Sequence, residues 1–180
     1  MTQTGLYKVT VLPLIKGLKA QLGILDKVQA HVATRATERH PLEYHLSALF
    51  NDRLIFDQFP FIRQIQVATD LAKGGACRLA QIEIPKFEDN EKTMEELKAR
   101  LNKTIALLES VKPEQVDGKE ELKIELPFYP GKYLNGFEYA NEFVLPNFYF
   151  HLTTAYSILR KNGIEIGKND FIGSLPTKDL

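Results

Sequence analysis

Asn147 and His151 come nearest to a chemical site in this chain, because they lie four residues apart in a stretch with helical spacing and so project onto one spot of an otherwise apolar face. An imidazole placed there can ligate a metal, move a proton or hydrogen-bond to a neighbour. Thr154 follows about one turn later, and Tyr149 or Tyr156 would flank the group from its edge. Gln64, beside the apolar stripe of a second helical segment, would face them from across the fold. A catalytic zinc-type site needs about three protein ligands and one open position, supplied mostly by imidazoles and carboxylates. His151 qualifies as a ligand, whereas Asn147 and Gln64 carry neutral amides, which are weak ligands for zinc, nickel or iron(II). A core histidine hydrogen-bonded to amides or hydroxyls is the plainer reading, since any buried polar group needs a partner.

The remaining reactive types are sparse. His31, His40 and His45 share no helical spacing with a second histidine or a carboxylate on an apolar face, so they read as surface or loop residues. Cys77 sits among small residues and reads as a buried, inert thiol. No Gly-rich phosphate loop, HExxH, GxSxG or dinucleotide fingerprint is present. The glycines of AKGGA fall inside a helical pattern and read as packing residues, and the charged run EDNEKTMEELKAR reads as a loop followed by a solvated helix face.

Composition narrows the partners. The 180 residues suit one domain spanning 1–180 with a single core. Lys plus Arg and Asp plus Glu number 23 each, so no global field draws the chain to nucleic acid or to anionic lipid. The single cysteine excludes an internal disulfide and fits a cytoplasmic setting. The stretch from Met1 to Leu25 does not read as a signal peptide, and no window approaches the roughly 18 apolar residues of a membrane-spanning helix.

The elements that must position these residues follow from periodicity. Val11, Ile15, Leu18, Leu22, Leu25 and Val32 stack on one face of a long first helix from about Leu6 to about Thr37, with Pro13 predicting a kink or a later start. A broken pattern from Glu38 to Phe59 predicts a crossover with at most one helical turn. Ile62, Ile65, Ala68, Ala72, Ala76 and Leu79 give a second helix with Pro60 near its start, and Gly74 and Gly75 permit close approach by a neighbour. Thr93 and Glu96 form a capping box opening a third helix, which Pro113 ends. Alternation at Leu122, Ile124 and Leu126, followed by YPGK, predicts a small hairpin. A fourth helix runs from about Gly136 to Lys161, with Asn162-Gly163 as its C-cap, and the last 17 residues read as a tail. Four such amphipathic helices would pack as an all-α antiparallel four-helix bundle, with a long crossover between helices 1 and 2 and the hairpin before helix 4.

The segments FPFIRQIQVATDLAKGGACRLAQIEIPKFEDNEKTMEEL and LPNFYFHLTTAYSILRKNGIEIGKNDFIGSL resemble an uncharacterised bacterial family, a domain of unknown function, within the DinB-like or YfiT-like metalloenzyme superfamily. The likeness covers nearly the whole chain and implies a DinB-like bundle, often dimeric in relatives. Many members of the superfamily hold a divalent metal with one histidine on the second helix and an HxxxH pair on the fourth. His151 matches the second histidine of that pair, Asn147 stands where the first would be, and Gln64 stands near the second-helix position. The metal site implied by the resemblance is therefore degenerate.

Three readings follow. The first is a bundle of unassigned, non-enzymatic role whose inherited pocket has become polar core. The second is a small-molecule-binding protein or divalent-metal-dependent transferase or hydrolase built around His151, Asn147, Gln64 and Thr154. The third is a homodimeric interaction module.

Overall fold

The computed structural model describes residues 5–179, so residues 1–4 and 180 of the single-domain reading, and the first four residues of the stretch read as lacking a signal, lie outside it. Helix α1 (Leu6–Ala33) buries Val11, Leu14, Leu18, Leu25, Val28 and Val32 along one side. It begins upstream of Pro13, because the Asp117 carboxylate accepts the Tyr7 backbone N–H at 2.8 Å. Pro13 is accommodated inside the helix because Val9, whose carbonyl loses its helical donor, lies at an exposed position. The helix ends at Ala33 rather than Thr37. There the Thr34 hydroxyl donates back to the His31 carbonyl at 2.7 Å, and Thr37 closes a turn with His40.

The crossover is more ordered than its broken pattern predicts. Helix α2 (Leu42–Asn51) is ten residues long, and Leu46, Leu49 and Phe50 tuck into the core with Leu42 packed beside them. Those spacings are helical, and Pro41 before them supplies the entry that masks the pattern. Helix α3 (Phe61–Ala80) follows with Pro60 as its N-cap. A Cβ on Gly75 would stand 2.6 Å from Val144, and one on Gly17 would stand 2.7 Å from the Phe148 ring, so these glycines set how closely α1 and α3 approach the chain around 144–148.

Helix α4 (Met94–Ser110) starts on the predicted capping box, with Thr93 accepting from Glu96 N–H at 3.1 Å and Glu96 accepting from Thr93 N–H at 3.0 Å. A short helix, α5 (Pro113–Val116), leads to the hairpin of β1 (Ile124–Glu125) and β2 (Tyr133–Leu134), which pair antiparallel with Ile124 opposite Leu134. The fourth long segment is not one continuous α-helix. After α6 (Gly136–Glu138), Tyr139–Val144 widens into a π-helical stretch before α7 (Leu145–Lys161). Pro146, in the first turn of α7, explains the change: it has no N–H and its ring crowds the carbonyl four residues back, so the turn upstream opens. The tail carries a further short helix, α8 (Lys168–Ile172), which lies against α1 and is tied there by a 2.6 Å ion pair from Lys27 to Asp170.

The chain is thus mostly helical with one small sheet. Helix α3 packs on α7 and on α4, while α1 packs on α4, α7 and α3, and their apolar stripes merge in one core. No helix among the described residues is long and apolar enough to cross a membrane.

Candidate functional site

Gln64 and His151 meet. Gln64, on the first turn of α3, is buried, and its Oε1 lies 2.7 Å from His151 Nδ1 on α7. Gln64 Nε2 donates to the Phe59 carbonyl at 2.9 Å. A carbonyl only accepts, which assigns the amide's nitrogen to that side and its oxygen to the imidazole. His151 Nδ1 must then be the protonated nitrogen, donating to Gln64, and Nε2 keeps its lone pair. Burial pushes the His151 imidazole below its ordinary pKa, and the Arg63 guanidinium nearby adds to the effect. The ring is therefore neutral at neutral pH.

The other two candidates do not join them. Asn147 shares the His151 face, but its Nδ2 donates to the Phe143 carbonyl of its own helix at 2.6 Å. Thr154 is buried and its hydroxyl donates to the Phe150 carbonyl at 2.8 Å. Of the two flanking tyrosines, Tyr156 donates to the Ile166 carbonyl at 3.3 Å and Tyr149 packs edge-to-face on Phe148. The aromatic ring that does meet His151 edge-on is its neighbour Phe150, with centroids 5.2 Å apart.

These residues do not fit a catalytic divalent metal. His151 is the one strong donor at the position: Nε2 keeps its lone pair, but Gln64 and Asn147 offer neutral amides, and the Asn147 amide donates to its own helix. Among the described residues, no group of three or more His, Cys, Asp or Glu is placed to hold a metal ion. What the arrangement does is hydrogen-bond α3 to α7 at the first turn of α3, next to the exposed segment that carries Phe56 and Phe59.

A second polar cluster on α3 was legible in the sequence only as a solvated run. Arg100 is buried, and its guanidinium meets Asp70 at 2.9 Å, Asp89 at 3.0 Å and Glu91 at 3.0 Å, with Nε donating to the Thr69 hydroxyl at 2.7 Å. Gln66 Nε2 adds a 2.9 Å bond to Glu91. The last residue of EDNEKTMEELKAR is therefore the bolt that fastens the 81–93 connection and α4 to α3, and burial without that pairing would leave a charge unanswered. Lys73 and Lys103 each lie 4.1 Å from the centroid of Phe87, which covers the cluster. Cys77 is fully buried, and burial pushes its thiol up despite Lys73 and Arg78 nearby, which suits an inert thiol.

His31 and His45 depart from the expected surface role. Their Nε2 atoms are buried and have no hydrogen-bond partner, and both rings line a cleft of about 600 Å³ where the end of α1, α2 and the end of α7 converge. Separate clefts of about 370 Å³, over the hairpin, and about 820 Å³, between α1 and the tail, are lined by other residues.

Comparison with known proteins identifies the family and the overall fold. Among curated proteins none gives a significant match. A crystal structure of a DinB family member protein from Shewanella denitrificans superposes with a TM-score of 0.89 at 41% sequence identity, over 97% of this chain and 96% of that one. Residues 6–172 match the family described as a domain of unknown function, DUF1993. The chain belongs to that DUF1993 family, an uncharacterised family of DinB-like proteins.

Proposed function

We propose that this protein is a DinB-like antiparallel four-helix bundle that works by binding, not by metal-dependent transfer or hydrolysis, and that its inherited metal position has become a structural tie. One observation carries the reading: among the described residues His151 has no second imidazole or carboxylate beside it, only the Gln64 amide at 2.7 Å and an Asn147 that bonds its own helix. A half-buried imidazole with no second strong ligand beside it is a polar group that has found its partner in the Gln64 amide.

The test is elemental analysis of untagged protein purified without chelator after growth with added zinc and nickel. The expected result is metal well below one equivalent, together with an Nδ1-protonated His151 in the imidazole ¹⁵N spectrum. A Gln64→His/Asn147→His variant, which supplies the histidines of the superfamily pattern, is the positive control and should retain zinc. One equivalent of metal on the unaltered chain overturns the proposal.

A homodimer is a second reading, supported by the short segment that exposes Leu54, Ile55, Phe56 and Phe59, with Phe56 86% exposed. Light scattering with Phe56→Ser should then show a dimer converted to monomer, and a monomer at every concentration of the unaltered chain removes this reading. A cytoplasmic setting belongs to the same proposal and is supported by the lone buried thiol.

A further inference from the structure

The cleft of about 600 Å³ between the end of α1, α2 and the end of α7 lies away from the His151 position and shares no residue with it. Its polar groups divide into two sets. Asp52, the only carboxylate lining it, is already engaged: Lys161 Nζ donates to it at 2.9 Å, Asn162 Nδ2 at 2.6 Å and the Arg53 backbone N–H at 2.9 Å. Partial burial opposes its charge, yet these hydrogen bonds prevail and hold Asp52 below the usual carboxylate range. The second set is unengaged. The His31 and His45 Nε2 atoms are buried without a partner, and the Arg35 side chain has no hydrogen bond or ion pair among the described residues. Arg35 extends from the end of α1 toward α7, with its Nη2 3.8 Å from where a Cβ on Gly163 would stand.

The buried unengaged atoms and the Arg35 cation are all nitrogens, while Asn51, also on the lining, donates its amide N–H to the Ser47 carbonyl at 2.9 Å. Arg35 is a permanent cation and only donates, while an imidazole shifts its proton to Nε2 when an acceptor arrives. A metal is disfavoured because two imidazoles stand beside a guanidinium, and the one carboxylate is held by three donors. Around the imidazoles, Val32, Leu49 and Ile164 give the cleft an apolar wall, and its volume falls in the range of small-molecule sites. His40 and Tyr44 stand beside His45, with ring centroids 6.2 Å and 5.5 Å away.

We propose that this cleft binds a small organic anion, whose carboxylate or phosphate group sits between Arg35 and the His31 and His45 imidazoles and whose apolar portion lies on Val32, Leu49 and Ile164. The site supplies the binding role named above with a ligand class, and it stands or falls separately from the metal question at His151.

The experiment is calorimetry and imidazole ¹⁵N NMR of the full chain titrated with phenyl phosphate, benzoate, inorganic phosphate and benzyl alcohol. The expected result is that phenyl phosphate or benzoate moves the His31 and His45 signals but not that of His151, and that benzyl alcohol does not; which of the two anions binds tighter separates a phosphate from a carboxylate ligand. Inorganic phosphate should bind more weakly than phenyl phosphate. Arg35→Gln, on an exposed residue whose loss leaves the fold intact, should weaken binding at least about tenfold, the loss of one charged hydrogen bond. His45→Gln should weaken it as well. The proposal is overturned if no anion moves either signal at millimolar concentration, if binding is indifferent to both substitutions, or if zinc chloride alone binds at this cleft while the anions do not.

Discussion

The polar side chains of α3 and those of the cleft at the far end of α1 present opposite cases within one molecule. On α3, Gln64 meets His151, and Thr69, Asp70 and Gln66 join Arg100 and its carboxylates, so nearly every buried polar atom has its partner. In the cleft, two buried imidazole nitrogens have none. The first pattern is how a fold stabilises itself, because an answered polar group offsets its own desolvation; the second leaves binding capacity in reserve at a cost to stability. The unanswered imidazole nitrogens thus lie away from the His151–Gln64 contact.

The contrast is open to attack by substitution. Its largest expected effect is at Arg100: Arg100→Leu leaves Asp70, Asp89 and Glu91 facing one another and should lower unfolding free energy by about 3–5 kcal/mol. Urea denaturation measures it, and a loss below about 1 kcal/mol would mean that the cluster is not answered in the sense described. His151→Ala should cost less, about 1–3 kcal/mol, since it orphans the buried Gln64 oxygen. His45→Phe should have the opposite sign. In anion-free buffer it removes a buried nitrogen without a partner and should raise stability by up to about 1 kcal/mol, and a clear loss would place His45 among the answered groups.

The smallest effect concerns pH. Because the His151 pKa is lowered on folding, the unfolded chain takes up the proton first as pH falls. The contribution of His151 is therefore complete above its unfolded value of about 6.5 and declines below it, levelling once pH passes the folded value. Denaturation midpoints from pH 8 to about 5 should drop more steeply for the unaltered chain than for His151→Gln. Parallel profiles would show that this imidazole is as solvated folded as unfolded.

Features governed by near neighbours in the chain were readable in advance. The Thr93–Glu96 box spans one turn, the Asn162-Gly163 ending needs only a glycine able to take positive φ, here +78°, and the hairpin follows its alternation and its YPGK turn. Local readings failed where two signals overlapped. Pro146 stands within a helical stripe yet opens a π turn upstream, while Pro41 and the polar residues around α2 mask the spacing of Leu42, Leu46, Leu49 and Phe50. Arg100 shows the same limit at longer range, since nothing in a charged run tells a solvated guanidinium from one enclosed by carboxylates 30 and 11 residues away.

By itself the sequence determined the four long helical segments, most of their ends, the apolar faces that must be covered and the shortage of strong metal donors around His151, because each depends on residue type and on spacing within a few turns. Only the tertiary structure decided that Gln64 answers His151 across 87 residues while Asn147 turns to its own helix, and that His31 and His45 share a cleft. Hydrogen bonds saturate: once a donor has its acceptor it is no longer available, and which pairs form depends on how three or four helices pack at once.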